Sequence, residues 1–159
     1  MNQPPIKILM VCLGNICRSP LAEGILKEMA DPERVVVESA GTAGYHIGNP
    51  PDPRSVSIAS KYGIDISTQR CRKFESSDFE EFDLILAMDR SNYRNIISLA
   101  QDEKHYKKVS LLMEELPDGP DEVPDPYYGG KDGFEEVYQM VYRACEALLE
   151  RLLNEKQDL

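Results

Sequence analysis

With 159 residues, 42% hydrophobic and 29% charged, the chain has the length and composition of a single globular domain that buries its own core without disulfides or metal. A formal net charge of −10 and a pI of about 4.7 set the whole molecule against phosphate backbones and anionic lipid, so neither nucleic acid nor a membrane is expected as a partner. No apolar run reaches the ~20 residues of a membrane span, the N-terminal "MNQPPIKILMVCLGN" lacks a secretory signal pattern, and four cysteines with two histidines show no paired metal-ligand spacing; a cytoplasmic protein with reduced thiols is expected.

The first element, "IKILMV" at 6–11, is apolar and rich in β-branched residues, as suits a strand buried on both faces of a parallel sheet. It ends at Cys12. Ser19 and Pro20 then read as the N-cap and first turn of a helix whose apolar residues Leu21, Ala22, Ile25, Leu26 and Met29 recur at helical spacing. The stretch "VCLGNICRSP" between them is therefore a strand-to-helix turn. "RVVVESAGTAG" predicts a second strand with its loop, and Asp52 with Pro53 opens a helix running to about Tyr62 that Gly63 ends. "ESSDFEEF" suggests a short capped helix, "DLILAMD" a third strand followed by a helix around 92–99, and "KVSLLM" a weaker fourth strand. The segment 114–133 holds four prolines together with glycines and acids, which makes it a long irregular loop of the kind that usually carries function. A last helix follows, with Phe134, Val137, Tyr138, Val141, Ala144, Cys145, Leu148 and Leu152 along one face. Strands alternating with helices predict one α/β domain over 1–159: a central four-stranded parallel sheet with helices on both faces.

In such a sheet ligands bind beyond the carboxyl ends of the strands, where a turn entering a helix gathers backbone N–H groups into an anion-binding nest. The turn after the first strand occupies that place, and Gly14 and Asn15 tolerate the backbone angles a tight loop needs. A cysteine there has its thiolate stabilised by the helix terminus, so Cys12 is the candidate nucleophile. Arg18 at the helix start offers a planar two-pronged donor to a tetrahedral oxyanion. Ser19 has two roles open to it, capping the helix and donating to the sulfur, singly or together. The same cysteine-to-arginine spacing recurs at Cys145 and Arg151 inside a periodic helix whose N–H groups are already paired, so position, not spacing, singles out Cys12. Cleaving a phosphate monoester also needs a proton donor for the leaving group. Of the acids in the irregular loop, Asp125 is the candidate, because Pro126 stiffens the chain beside it and Tyr127 and Tyr128 follow as an aromatic wall; the alternative is that this stretch is only a turn before the last helix.

"VCLGNICRSP", "SAGT", "IGNPPDPRS", "AMDRSN" and "DPYYG", in that order, make the chain from about residue 6 to 153 resemble the low-molecular-weight protein tyrosine phosphatases. The resemblance implies a cofactor-free, metal-free hydrolysis in two steps through a cysteinyl-phosphate. Cys12 would attack phosphorus while Arg18 and the N–H groups of Leu13, Gly14, Asn15, Ile16, Cys17 and Arg18 hold the oxygens. Asp125 would be general acid and then base, and Ser19 would assist the sulfur as it leaves. Asn15 and Ser39 would hold the loop in shape, and Leu13, Ile16, Tyr45, His46, Tyr127 and Tyr128 would line the substrate pocket, although His46 reads equally as an ordinary loop histidine. Cys17 resembles a partner for a reversible disulfide with Cys12, the alternative being a small residue facing the core. Cys71 and Cys145 read as structural or surface cysteines and His105 as a surface residue, while Asp89 lies in a family segment with no chemistry assigned to it. The implied partners are tyrosine-phosphorylated proteins, with inorganic phosphate or similar oxyanions as inhibitors of a mainly monomeric enzyme.

Four other readings compete, one of them a redox or metal switch using Cys12 and Cys17, which lacks further ligands and leaves Arg18 and Asp125 unexplained. Arsenate reductase uses a similar anion loop but resembles a relay with two further, closely spaced cysteines in mid-chain, where this sequence has Cys71 alone. The phosphoarginine phosphatases resemble the chain but carry a small polar residue in place of Ile16. A phosphotyrosine-binding module without turnover would lack the nucleophile or the acid, and both are present.

Overall fold

The structure is a computed structural model that describes residues 4–126 and 132–157; Tyr127 and Tyr128, two of the expected pocket residues, lie outside the described residues. Strands β1 (Ile6–Cys12), β2 (Val35–Gly41), β3 (Leu84–Ala87) and β4 (Val109–Leu111) form one sheet in the order β2-β1-β3-β4, with every pairing parallel. Helix α1 (Arg18–Met29) connects β1 to β2, and α2 (Pro53–Lys61), α3 (Asp78–Glu81), α4 (Arg90–Ile97), α5 (Glu103–Lys108) and α6 (Gly133–Gln157) complete the layers.

Alternation along the strands sorts the core into two halves. Ile8, Met10, Val35, Val37 and Leu86 face α1, α2 and α6, where Leu21, Ile25, Val137, Val141, Ala144 and Leu148 meet them. Leu9, Val11, Ile85 and Ala87 face the other way, onto Phe74, Phe79, Phe82 and Ile96. Both faces of β1 are thus covered, as its unbroken apolar run requires. Asp52 caps α2 by accepting from the Arg54 N–H, and Gly63 follows its end at φ +80°, a left-handed position that costs glycine least.

Five local expectations change. Helix α1 begins at Arg18 with Cys17 at its N-cap, so Ser19 lies within the helix and its hydroxyl is free for the site. The short α3 forms, but Ser77 makes no side-chain cap; Asp78 instead accepts from the Glu75 N–H at 2.8 Å. Helix α4 starts two residues earlier than expected because Asp89 caps it, accepting from Asn92 N–H at 2.7 Å. Helix α5 and the 3₁₀ turn Leu112–Glu115 were not expected at all. Within α5, His105 is no surface residue: its ring stacks on Phe79 at 4.4 Å between centroids and is 6% exposed, held through Gln101 N–H and Glu80.

The contact between α1 and the segment after α2 leaves no spare volume. A Cβ on Gly24 would sit 2.4 Å from Ile66 Cγ2, in a core where Ile66 is 1% exposed and has nowhere to retreat. Although alanine favours helix, Gly24→Ala is expected to lower unfolding stability by about 1–3 kcal/mol through overpacking. Denaturant titration reads this directly, and an unchanged or raised midpoint would refute it.

Candidate active site

The sheet order turns at β1 and β3, because the chain leaves β1 for β2 on one side and reaches β3 on the other. Such a switch opens a crevice at the carboxyl ends of the two strands. Loop 13–17 lies there after β1, and Asp89 lies there after β3.

The loop is held from outside by its carbonyls. Cys12 O accepts from Thr42 N–H (3.0 Å), Leu13 O from Ala43 N–H (2.9 Å) and Ile16 O from Asp52 N–H (2.8 Å). Asn15 O accepts from the Cys71 thiol (2.8 Å) and Cys17 O from the Ser55 hydroxyl (3.3 Å). In a trans peptide the N–H points opposite to the carbonyl, so anchoring these carbonyls outward turns the N–H groups of Gly14, Ile16, Cys17 and Arg18 toward the hollow of the loop, while the Leu13 N–H lies 3.3 Å from the Asn92 side-chain amide. That arrangement is an anion nest at a helix N-terminus. Gly41 at the end of β2 makes the close approach possible, since a Cβ there would lie 2.8 Å from Leu13 O.

Asn15, at φ +58°, is the loop's left-handed residue. Its buried side chain donates to Ser19 Oγ and Ser39 Oγ, both at 2.9 Å, and accepts from Arg72 N–H at 2.9 Å. The expected support by Asn15 and Ser39 therefore corresponds to direct hydrogen bonds. The chain of bonds runs further than the sequence indicated, because Ser39 Oγ donates to Glu23 Oε1 at 2.7 Å and Glu23 is itself buried. Ser19 Oγ stands 3.0 Å from Cys12 Sγ. Of its two open roles, it takes the bond to sulfur.

Cys12, Arg18 and Asp125 line one cavity of about 220 Å³, with Leu13, Gly14, Ile16, Cys17, Tyr45 and His46 completing the described part of its wall. His46 lies in that wall, on the loop after β2. Cys12 is 3% exposed at the floor, while Leu13 and Tyr45 are 44% and 75% exposed at the mouth. All four cysteines are buried and reduced; Cys17 shares the cavity, whereas Cys145 sits in the core between α6 and the sheet, where burial pushes its thiol far up.

Asp89, to which the sequence assigned no chemistry, is part of the site. Arg18 Nη1 donates to Asp89 Oδ2 at 2.7 Å and to the Val123 carbonyl at 2.9 Å. Burial opposes the charged guanidinium, but the Cys12 thiolate and the Asp89 bond outweigh it and raise Arg18 above its ordinary value. The Val123 contact also ties the loop carrying Asp125 to Arg18, and Val123 N–H donates in turn to Met88 O at 2.8 Å. A topological signal for Asp89 was present in the sequence: it follows the third strand, at the same end of the sheet as Cys12. Glu23 gave only the weak signal of an acid within an apolar helix run.

Because Asp89 both caps α4 and steadies Arg18, Asp89→Asn separates the two roles: an amide oxygen still caps, but the guanidinium loses its charged partner. Affinity for inorganic phosphate is expected to fall roughly tenfold, about 1.4 kcal/mol, with little change in melting temperature. Calorimetric titration with phosphate alongside a thermal melt tests it; unaltered phosphate affinity would contradict the assignment.

The family model described as low molecular weight phosphotyrosine protein phosphatase matches residues 7–158. The chain is 45% identical over 155 residues to slr0328 of Synechocystis sp., covering 94% of this chain and 98% of that one. It is 42% identical over 155 residues, with the same coverage, to the human low molecular weight phosphotyrosine protein phosphatase. Among solved structures, YfkJ from Bacillus subtilis superposes with a TM-score of 0.91 at 38% identity, covering 98% of this chain and 99% of that one. Wzb of Vibrio vulnificus, solved in complex with benzylphosphonate, superposes with a TM-score of 0.82 at 30% identity over 92% of this chain and 98% of that one.

Proposed function

The chain belongs to the low molecular weight phosphotyrosine protein phosphatases, and from that premise we propose how its own residues hydrolyse phosphotyrosine. The observation that carries the mechanism is the convergence of Cys12, Arg18 and Asp125 on one cavity whose floor is the N–H-lined loop. The Cys12 thiolate attacks phosphorus in line with the departing phenolate, so the S–P bond forms as the P–O bond breaks. Arg18, oriented through Nη1, and the inward N–H groups hold the three equatorial oxygens, and this positioning of charge is the main contribution to rate. Asp125 gives its proton to the leaving oxygen. In the second step the Asp125 carboxylate takes a proton from water as that water attacks phosphorus, and the Ser19 hydroxyl stabilises the sulfur as it departs.

Depth supports the choice of substrate. A nucleophile at the floor, with Leu13, Ile16 and Tyr45 above it, matches the reach and apolar ring of phosphotyrosine, while a phosphoserine side chain is too short. Benzylphosphonate, with which Wzb was solved in complex, carries a phosphonate on the methylene attached to an aromatic ring, so it combines the same two parts, a ring and a tetrahedral oxyanion one atom away. Tyrosine-phosphorylated proteins are the proposed partners, and inorganic phosphate competes for the same cradle. Cys17, in the same cavity, is proposed to trap a peroxide-oxidised Cys12: the sulfenic acid condenses with the Cys17 thiol, giving a disulfide and water. Reduced thiols of this kind suit the reducing cytoplasm.

Phosphate release from phosphotyrosine, phosphoserine and phosphoarginine peptides under reducing conditions tests the reading. Release from the phosphotyrosine peptide alone is expected. Release from phosphoarginine but not phosphotyrosine, or from none, would overturn it.

A further inference from the structure

Cys71 takes no part in the chemistry above, yet it is only 4% exposed and lies against the outer wall of the phosphate loop. Its thiol donates to the Asn15 carbonyl at 2.8 Å, with the Pro50 carbonyl a distant second acceptor at 4.0 Å. The Cys71 backbone is fixed on both sides, its N–H donating to Asn49 O and its carbonyl accepting from Gly48 N–H, each at 2.8 Å. The next residue, Arg72, donates its N–H to Asn15 Oδ1 at 2.9 Å, and its guanidinium is gripped by both oxygens of Asp78 at 3.0 and 3.1 Å. Two consecutive residues thus hold the backbone carbonyl and the side chain of one loop residue.

Asn15 is the residue that needs holding. At φ +58° it sits in a conformation that is unfavourable for a side-chain-bearing residue unless its surroundings enforce it. The peptide joining Asn15 to Ile16 carries its carbonyl and its N–H on opposite edges. A donor that holds the carbonyl outward therefore aims the Ile16 N–H into the cavity that Ile16 helps to line.

We propose that Cys71 is a positioning residue of the phosphate loop, its S–H fixing the Asn15–Ile16 peptide so that the Ile16 N–H faces the phosphoryl oxygens. The inference rests on the phosphatase reading. Burial first, and the neighbouring Cys12 thiolate second, push the Cys71 thiol up to about 11, so at neutral pH it stays protonated and serves as a donor, while Cys12 serves as the nucleophile.

The test compares wild type with Cys71→Ala, Cys71→Val and Cys71→Ser, reading the inhibition constant of inorganic phosphate against a small aryl phosphate, KM and kcat separately, and the melting temperature. Alanine removes the donor, valine removes it while filling the space, and serine keeps a donor. Phosphate inhibition is expected to weaken roughly 3- to 10-fold in both the alanine and the valine variants, the scale of one modest hydrogen bond, and to return to within about twofold of wild type with serine. KM should rise in parallel with the inhibition constant. Valine keeps the experiment decisive if the alanine variant does not fold. An unchanged inhibition constant in the valine variant, or an equal loss with serine and valine, would overturn the proposal. Wild type silent on every aryl phosphate would overturn the phosphatase reading and this inference with it, whereas active wild type with unaffected variants overturns the inference alone.

Discussion

Cys12→Ser is expected to remove phosphotyrosine turnover almost completely, a fall on the order of 10⁶-fold of the kind seen when a nucleophile is deleted, while the protein continues to bind inorganic phosphate. A serine hydroxyl in the same place is a far weaker nucleophile than a thiolate, since an alcohol stays un-ionised near neutral pH and its oxygen is far less polarisable than sulfur. The cradle itself is untouched. Its shape comes from carbonyls anchored to Thr42, Ala43, Asp52, Ser55 and Cys71 and from the Asn15 side chain, none of which involves Cys12 Sγ. Removing a negative charge from the floor also removes its repulsion of an incoming anion, so phosphate should bind at least as tightly as to wild type. Turnover measured beside calorimetric phosphate titration checks both halves. Residual turnover well above background would point to a second nucleophile, with Cys17 the thiol sharing the cavity. Lost phosphate binding would mean that Cys12 shapes the loop as well as attacking through it.

What the sequence made legible was local. The apolar run ending at Cys12, the glycine and asparagine in the turn, and the proline at the helix start are chemical statements about consecutive residues, and β1, the loop and α1 follow them closely. What it hid depends on partners distant in sequence. Asp89 meets Arg18 across 71 positions, and the second partner of Arg18 is a backbone carbonyl, Val123 O, which no side-chain letter reveals. Helix α5, "EKHYKK", has no apolar periodicity to announce it; the Asp102 cap and the stacking of His105 on Phe79 hold it in place. His105 shows the same limit from the other side. A histidine among lysines and a glutamate reads as solvent-facing until tertiary packing turns its ring inward. Ser19 fits both patterns, since its identity suggested a cap or a sulfur contact and only the position of Cys12 Sγ, 3.0 Å away, separates the two.

Asp125→Ala is expected to slow phosphotyrosine hydrolysis by roughly 10²- to 10⁴-fold, the usual share of general acid catalysis, and the loss should depend on the leaving group. Asp125 lines the cavity beside Cys12 and Arg18 but belongs to a different stretch of chain, tied to the site through Val123. On the proposed mechanism its removal takes away the proton donor, while the carbonyl anchors that shape the loop at the floor are made by other residues. A tyrosine phenolate, whose conjugate acid has a pKa of about 10, leaves poorly without that proton. A nitrophenolate, with its charge delocalised, leaves well unaided. The variant should therefore lose much more activity on phosphotyrosine than on nitrophenyl phosphate, whereas a collapsed pocket would lose both alike. Asp125→Asn adds a further distinction: the amide keeps the size and polarity of the side chain but can neither give up a proton to the phenolate nor take one from water, so it should behave like alanine. If asparagine restores activity, Asp125 acts by shape and the proton comes from elsewhere. If both variants fail on phosphotyrosine yet retain most of their nitrophenyl phosphate turnover in the first step, hydrolysis of the cysteinyl-phosphate becomes the slow step, because the same carboxylate is then missing as the base. A burst of nitrophenol, one equivalent per active site and followed by a slower steady rate, would report that intermediate and assign both of its roles to Asp125.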